Sequence, residues 1–514
     1  MSVSIIHSRA ISGLSALPVQ VETDLANGLP SFSIVGLPDA AVREAKDRVR
    51  AAIHNSGFEF PQRRVTVNLA PADLPKESGR FDLPIAIGIL VASGQIAQRA
   101  GQHLLKRWEF VGELSLTGNL LPVHGAFALA MGVLNEGATH QTRSLVLPLG
   151  NRVEASLTES TQLGFAASLR EVTDFLQEGV LLSSIDPAAL KNTTYESSES
   201  DWSEIHGQEK AKRAALIAAA GQHNLLMFGP PGVGKSMIAA RLPALLPQLS
   251  RQQACELASL KSLCAGVDPY TWRRPPFRSP HHTTPARALI GGGPPIRPGE
   301  ISLAHHGILF LDELPEFSRD CLESLREPLE TGEVSISRVR GKTNFPANFM
   351  LLAAMNPCPC GYFGALKAKR VCRCPPDRIE RYRAKISGPL IDRFDMAIQL
   401  DSVAVESMIK KTSSTRLNAE LREQVTHARA VQQQRQSFTN GRCPPSVLEV
   451  AGLLSEESSQ LLEQLARRFS WSVRAWHRTI RVARTIADLD HSKGIALGHV
   501  SEAVELRRAL DLPA

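Results

Sequence analysis

Eight consecutive residues, Gly229, Pro230, Pro231, Gly232, Val233, Gly234, Lys235 and Ser236, have the types and order of a phosphate cradle. Glycines let successive backbone N–H groups turn inward onto phosphate oxygens. A lysine after the last glycine can reach the terminal phosphates, and the hydroxyl that follows can ligate magnesium. The apolar run Leu225 to Phe228 and the helix-compatible run Met237 to Leu242 flank the motif. They predict the strand–loop–helix setting that separates a working cradle from a chance Gly/Pro loop. The expected ligand is a nucleoside triphosphate with Mg2+.

A second half-site follows at Gly307 to Leu314, four apolar residues and then two carboxylates. Such a run reads as a buried, parallel strand. Asp312 at its end is a candidate magnesium ligand, and Glu313 a candidate base for a water attacking the γ-phosphate. The competing reading is an acidic pair that only caps the next helix. Three further polar residues follow in order. The strand-like run Phe349 to Ala354 leads into Met355 and Asn356, and Asn356 is a candidate to orient the water. Arg393, in SGPLIDRFD, is a candidate arginine finger, and Arg474, in WSVRAWHR, is a candidate to reach back to the γ-phosphate. Each taken alone also reads as a surface residue or a helix cap.

Cys358, Cys360, Cys372 and Cys374 form two C-x-C pairs separated by eleven residues. Four soft ligands in two close pairs suit a tetrahedral Zn2+, and the alternative is a cluster of reduced thiols on an insert. Loss of such a metal is expected to be felt within the insert, leaving nucleotide binding at Lys235 largely intact. From Lys367 to Lys385 the segment holds eight Lys or Arg against Asp377 and Glu380. Lys369, Arg370 and Arg373 are therefore candidate phosphate contacts, although charge runs are also ordinary solvated faces. Thr331 to Phe345 reads as a β-hairpin in which Arg338, Arg340 and Lys342 alternate and so are expected on one face. The loop Gly291 to Gly299, with Arg297, is a second basic element. The pairs His281–His282 and His305–His306 read as metal ligands or, better, as local packing.

A chain of 514 residues with 43% apolar and 21% charged content is that of a multidomain globular protein. Its longest apolar stretch, Leu83 to Ala92, is too short to span a bilayer. The N-terminus lacks the blocks of a signal peptide, so a cytoplasmic protein with reduced cysteines and no membrane partner is expected. The net charge of +7 permits nucleic-acid binding without establishing it. Composition divides the chain into an α+β region 1–180, a polar linker 181–204, an α/β nucleotide-binding core 205–400 with the cysteine insert 357–375, and a helical tail 401–514. Within the tail Leu417, Leu421, Val425 and Ala428 fall on one helical face.

Read together, HGQEKAKRAALIAAAGQHNLLMFGPPGVGKS, FRSPHHTTPARALIGGG, GILFLDELPEFSRDCLESLREPLETGEVSISR, AAMNPCPCGYFG, ISGPLIDRFD and VARTIADL resemble the ComM/YifB family. These are magnesium-chelatase-like AAA+ proteins, similar to the MCM branch of AAA+ motors, and the resemblance covers nearly the whole chain. It implies a multidomain α/β fold with a P-loop AAA+ core of MCM/chelatase type and a C-terminal α-helical lid. It also implies a hexameric ATPase and DNA helicase, promoting branch migration in homologous recombination during natural transformation. Asn356, Arg393 and Arg474 then take the roles of sensor 1, a finger supplied in trans, and sensor 2. The hairpin at 331–345 resembles one that lines the central pore of MCM-like motors and grips single-stranded or branched DNA.

The N-terminal segments VGLPDAAVREAKDRVRAAI, NLAPADLPKESGRFDLPIAIGIL and GELSLTGNLLPVHGAFALA resemble the S5-like proteolytic domain of Lon and its relative in RadA. A protease of that kind needs a serine activated by a lysine. Phe81 to Gly88 contains no serine and Gly125 to Ala130 no lysine, while Ser78 and Lys76 are too close in sequence to fill both places. The expectation is a Lon-like domain without protease activity, which argues against an ATP-dependent protease. The remaining competitor is a chelatase-like ATPase that remodels a protein partner.

Overall fold

The computed structural model describes residues 3–36, 40–72, 74, 76, 79–96, 100–136, 143–184, 201–338, 341–364, 370–401, 417–451 and 454–510. Most of the linker expected at 181–204 lies outside them, as do Ser78, Arg340 and Lys369.

The first 180 residues build a seven-stranded mixed sheet. Its order is Ser31–Val35, Arg64–Ala70, Ser15–Ala26, Val3–Ser12, Trp108–Phe110, Ser144–Pro148 and Leu163–Ala166. The long hairpin at its centre pairs antiparallel, whereas the three strands beyond Val3–Ser12 run parallel to it and to one another. Alternating buried positions along Ser15–Ala26 turn Val19, Val21 and Leu25 towards one core. That core is closed by the helix Asp82–Ala92, whose near-continuous apolar sequence is buried on all sides. Gly88 permits the contact, because a Cβ there would lie 2.5 Å from Thr23 Oγ1.

Residues 225–399 supply a five-stranded parallel sheet in the order Phe277–Arg278, Ile308–Leu311, Met350–Met355, Leu225–Phe228 and Met396–Gln399. The strands Leu225–Phe228, Ile308–Leu311 and Met350–Met355 are buried along their whole length, which is why their sequences do not alternate. All five point the same way, so the residues that follow them gather at one edge.

Helices of the tail continue this core. Leu417–Gln436 and Val473–Leu489 pack on the helix Glu209–Gly221, and Val425, Ala428, Ile480 and Ala483 share one apolar cluster with Ala214 and Ile217. Leu417 and Leu421 pack against the same cluster, as their spacing predicted. Arg429 donates to the carbonyl of Ala219 at 2.7 Å, and Arg435 pairs with buried Asp488 at 2.7 Å. The N-terminal sheet meets the core through the helix Arg251–Ser262. There the Gly125 N–H donates to the Ser262 carbonyl at 2.8 Å, and Phe127 and Leu157 pack on Ala258. No helix among the described residues is long and apolar enough to cross a membrane.

Candidate nucleotide site

The cradle follows the strand Leu225–Phe228. Gly229, Gly232 and Gly234 all have positive φ, +158°, +78° and +97°, the conformations that turn the peptide N–H groups to one side. A Cβ on Gly229 would lie 2.3 Å from the carbonyl oxygen of Leu400, so only glycine fits where the loop passes the adjacent strand. Lys235 begins the next helix and is buried, with its Nζ donating to the carbonyls of Gly229 at 2.6 Å and Pro230 at 2.9 Å. The same nitrogen lies 3.0 Å from Asn356 Oδ1. Burial lowers the Lys235 pKa to about 8, against the opposing pull of Asp312 and Glu313.

Ser236, exposed beside it, donates to Asp312 Oδ2 at 2.6 Å. This hydroxyl–carboxylate pair is the donor set that a hard divalent cation takes. The glycine-lined backbone and the buried ammonium fit the phosphates. The backbone N–H of Glu313 donates to Asp312 Oδ1 at 2.9 Å, and Glu313 itself sits in the left-handed region with φ +52°. Its exposed carboxylate lies 3.4 Å from His282 Nδ1. Lys235, Ser236, Asp312, Glu313 and Asn356, separated by up to 121 residues, therefore occupy one edge of the sheet. Parallel strand order makes this so.

Arg393 and Arg474 lie elsewhere. Arg393 is 7% exposed and donates to the carbonyls of Arg326 at 3.0 Å and Pro389 at 2.6 Å. It also pairs with Glu330 at 2.6 Å, and Arg474 pairs with the other oxygen of Glu330 at 2.9 Å. Asn224, just before the strand Leu225–Phe228, donates to the Arg393 carbonyl at 2.9 Å, so both arginines belong to the opposite edge from Lys235. Arg442, Arg478 and Arg481 line the same cavity of about 370 Å³. The expectation that Arg474 reaches its own chain's γ-phosphate is corrected here. Its helix packs on Glu209–Gly221 and delivers its first turn to Glu330, not to the cradle.

Two other expectations change. Arg338 pairs with Gly341 and Lys342 with Ser337, so the chain reverses between Arg338 and Lys342. Paired positions share a face, so the register puts Arg338 and Lys342 on opposite faces of the hairpin. Lys342 is exposed, whereas the root of the hairpin is fixed by Val334 and buried Phe345. The cysteine segment is not a remote insert either. It leaves the strand Met350–Met355 at the cradle edge, and a Cβ on Gly361 would lie 2.7 Å from Pro231 Cδ. Arg370 and Arg373 are exposed on its outer side.

The histidine pairs resolve differently from each other. His305 Nδ1 accepts from the Asn348 N–H at 2.9 Å, which places the ring proton on Nε2, facing Glu256 at 3.4 Å. His306 Nε2 lies 2.8 Å from the same carboxylate. Hydrogen bonds from His305 and then His306 overcome burial and hold Glu256 down to about 2. The two rings thus pack on one carboxylate, and the three side chains bring their ligand atoms within 4.8 Å of one another. His282 is instead a site residue that sequence reading missed, although its place just after the strand Phe277–Arg278, beside the acidic strand, carried the signal. Glu330 gave no signal at all.

Lys76 is buried and donates to the Pro71 carbonyl, and neither the helix Asp82–Ala92 nor Ala126–Glu136 brings a serine–lysine pair.

Comparison with known proteins accounts for almost all of the chain. Residues 201–408 match the family of magnesium chelatase, subunit ChlI. Residues 21–151 match a second ChlI family, and residues 415–507 the ChlI C-terminal family. The chain is 44% identical to the competence protein ComM of Haemophilus influenzae, over 100% of this chain and 99% of that one. It is 42% identical to the uncharacterized protein YifB of Escherichia coli, over 99% and 97%. Similarity to the magnesium-chelatase 38 kDa subunit of Rhodobacter capsulatus is narrower, 27% over 30% of this chain and 50% of that one.

Proposed function

The chain belongs to the ComM/YifB family of magnesium-chelatase-like AAA+ proteins, and from that membership we propose that it is an ATP-hydrolysing ring motor acting on DNA. The observation that carries the reading is the division of the polar residues between two edges of one sheet. Lys235 and the backbone of residues 229–236 bind and orient the phosphates. Ser236 and Asp312 would hold magnesium, which when bound would neutralise phosphate charge. Glu313 takes the proton of the attacking water, and Asn356 orients that water. Arg393 and Arg474, gathered by Glu330 on the far edge, serve the site of the next subunit. A head-to-tail interface of that kind closes into a ring, here a hexamer.

The N-terminal sheet is read as the Lon-like domain, without a protease pair, acting as a scaffold and guide on the helix Arg251–Ser262. The C-terminal helices are read as the lid, tied to the core through Glu209–Gly221. Lys342, Arg297, Arg370 and Arg373 supply exposed positive charge for DNA phosphates. The biological reading is branch migration during recombination of incoming DNA, in the cytoplasm. The alternative, a chelatase-like ATPase remodelling a protein, is favoured by the three ChlI family matches. ATPase rates with and without forked or single-stranded DNA decide between them. Stimulation by DNA supports the motor, and a rate indifferent to DNA supports the protein remodeller.

A further inference from the structure

We propose that Cys358, Cys360, Cys372 and Cys374 bind one Zn2+ and that this metal holds the nucleotide site in shape through Asn356 and Pro231. The sulfurs converge. Cys358 Sγ lies 3.3 Å from Cys360 Sγ and 3.6 Å from Cys372 Sγ, and Cys360 Sγ lies 3.5 Å from Cys372 Sγ. All four fall within 4.8 Å of one another, and none is in a disulfide. A tetrahedron with Zn–S bonds of about 2.3 Å has edges of roughly 3.8 Å, close to this arrangement. Two backbone N–H groups, of Phe363 and Cys374, point at Cys358 Sγ and Cys372 Sγ at 3.4 Å each, as donors to thiolate sulfur. Soft thiolates without nitrogen or oxygen donors select zinc over magnesium or calcium.

The segment gains from a cross-link, because no apolar core holds its described residues. Among the described residues, no strand or helix falls between Met355 and Pro376. Among the described residues, none of its side chains after Cys358 joins an apolar cluster, and Val371 is 85% exposed. A short segment of this kind draws its ordering free energy from the metal.

What the metal would order is the floor of the ATP site. Asn356, which meets Lys235 at 3.0 Å, stands two residues before Cys358. The turn after Cys360 brings Gly361 against Pro231 of the cradle. From the other side, the helix Pro376–Arg383 follows Cys374 directly. Its Arg383 donates to the Pro357 carbonyl at 3.2 Å and stacks on Phe363 at 5.1 Å, and its Tyr382 hydroxyl is hydrogen-bonded to the Asn356 backbone. Asn356 and Pro357 are thus held between two arms of one four-cysteine knot. Zinc loss releases both arms, so Asn356 and Pro231 lose their positions together. The coupling rests on the reading of the Lys235 cluster as a nucleotide site, whereas the metal site stands independently of it.

The test uses the full chain purified under reducing conditions, with zinc and iron measured by elemental analysis and binding of a fluorescent ATP analogue measured with Mg2+. About one zinc per chain is expected, and Cys372→Ser and Cys374→Ser should each lose it and weaken nucleotide binding at least fivefold. Gly361→Val should keep its zinc and still weaken nucleotide binding, because it presses on Pro231 without touching a ligand. That variant also covers the case in which the cysteine variants fail to fold. Wild-type protein with iron or with no metal would overturn the site. Zinc-free variants, or Gly361→Val, with unchanged nucleotide affinity would overturn the coupling. A wild-type protein that holds zinc but binds no nucleotide would overturn the coupling and the ATP reading, leaving the metal site in place.

Discussion

Lys235 Nζ and Asn356 Oδ1 lie 3.0 Å apart across two neighbouring strands, and the lysine's remaining hydrogen bonds go to carbonyls of its own loop. Burial brings the ammonium's pKa from 10.5 to about 8. Below pH 8 the lysine already carries its charge, whereas above it phosphate binding must also take up a proton. Nucleotide affinity should therefore fall about tenfold per pH unit above 8, until the raised pKa of the bound state is reached. The unfolded chain holds this proton more tightly between pH 8 and 10.5, so the burial penalty is complete below 8 and fades as pH rises through that window. Flat nucleotide titrations from pH 7 to 9.5 would contradict the geometry.

Lys235→Ala and Glu313→Gln should fail at different steps. On the proposed function, Lys235 meets ground-state phosphates, so its loss should abolish tight binding. If Glu313 acts on the attacking water, Glu313→Gln should bind ATP normally and turn it over about a hundredfold more slowly. Equilibrium binding and phosphate release measured on the same samples separate the two, and normal turnover in Glu313→Gln refutes the assigned base.

If Arg393 and Arg474 serve the neighbouring subunit, their alanine variants should bind nucleotide and lose hydrolysis, by about three to five powers of ten for Arg393. Arg393→Ala also deletes hydrogen bonds at a nearly buried position, with a stability loss of about 1–3 kcal/mol. Arg474, 64% exposed, gives the cleaner variant. Mixing Lys235→Ala with Arg393→Ala protein should restore part of the activity at composite interfaces. Full ATPase activity in a strictly monomeric sample would count against the ring.

Lys342, Arg370 and Arg373 are exposed, so each is free to meet a DNA phosphate. Removing one phosphate-binding side chain should lower the salt dependence of single-strand affinity by about 0.7 in the log–log slope. The triple alanine variant, titrated from low to physiological salt, should show a slope smaller by about two. An unaltered slope removes these residues from the DNA path.

The chemistry was legible in the sequence wherever it depends on contiguous residues. The cradle at 229–236, the acidic pair after an apolar strand, and the two C-x-C pairs each declare themselves because neighbours in the chain are neighbours in the site. Buried parallel strands were equally legible, since burial on both faces removes alternation and leaves short apolar runs.

Tertiary structure alone decided which of these pieces meet. Strand order, which no local pattern encodes, carried Asn356 to Lys235 and brought His282 to Glu313. Packing of the tail on Glu209–Gly221 sent Arg474 to Glu330 beside Arg393, away from its own cradle. The reversal between Arg338 and Lys342 broke the row of basic residues that spacing predicted. The cysteine segment came to border the cradle because its chain leaves the central sheet at the cradle edge. Residue type and spacing determine which chemistry a segment can perform, and long-range strand pairing and helix docking determine which segments perform it together.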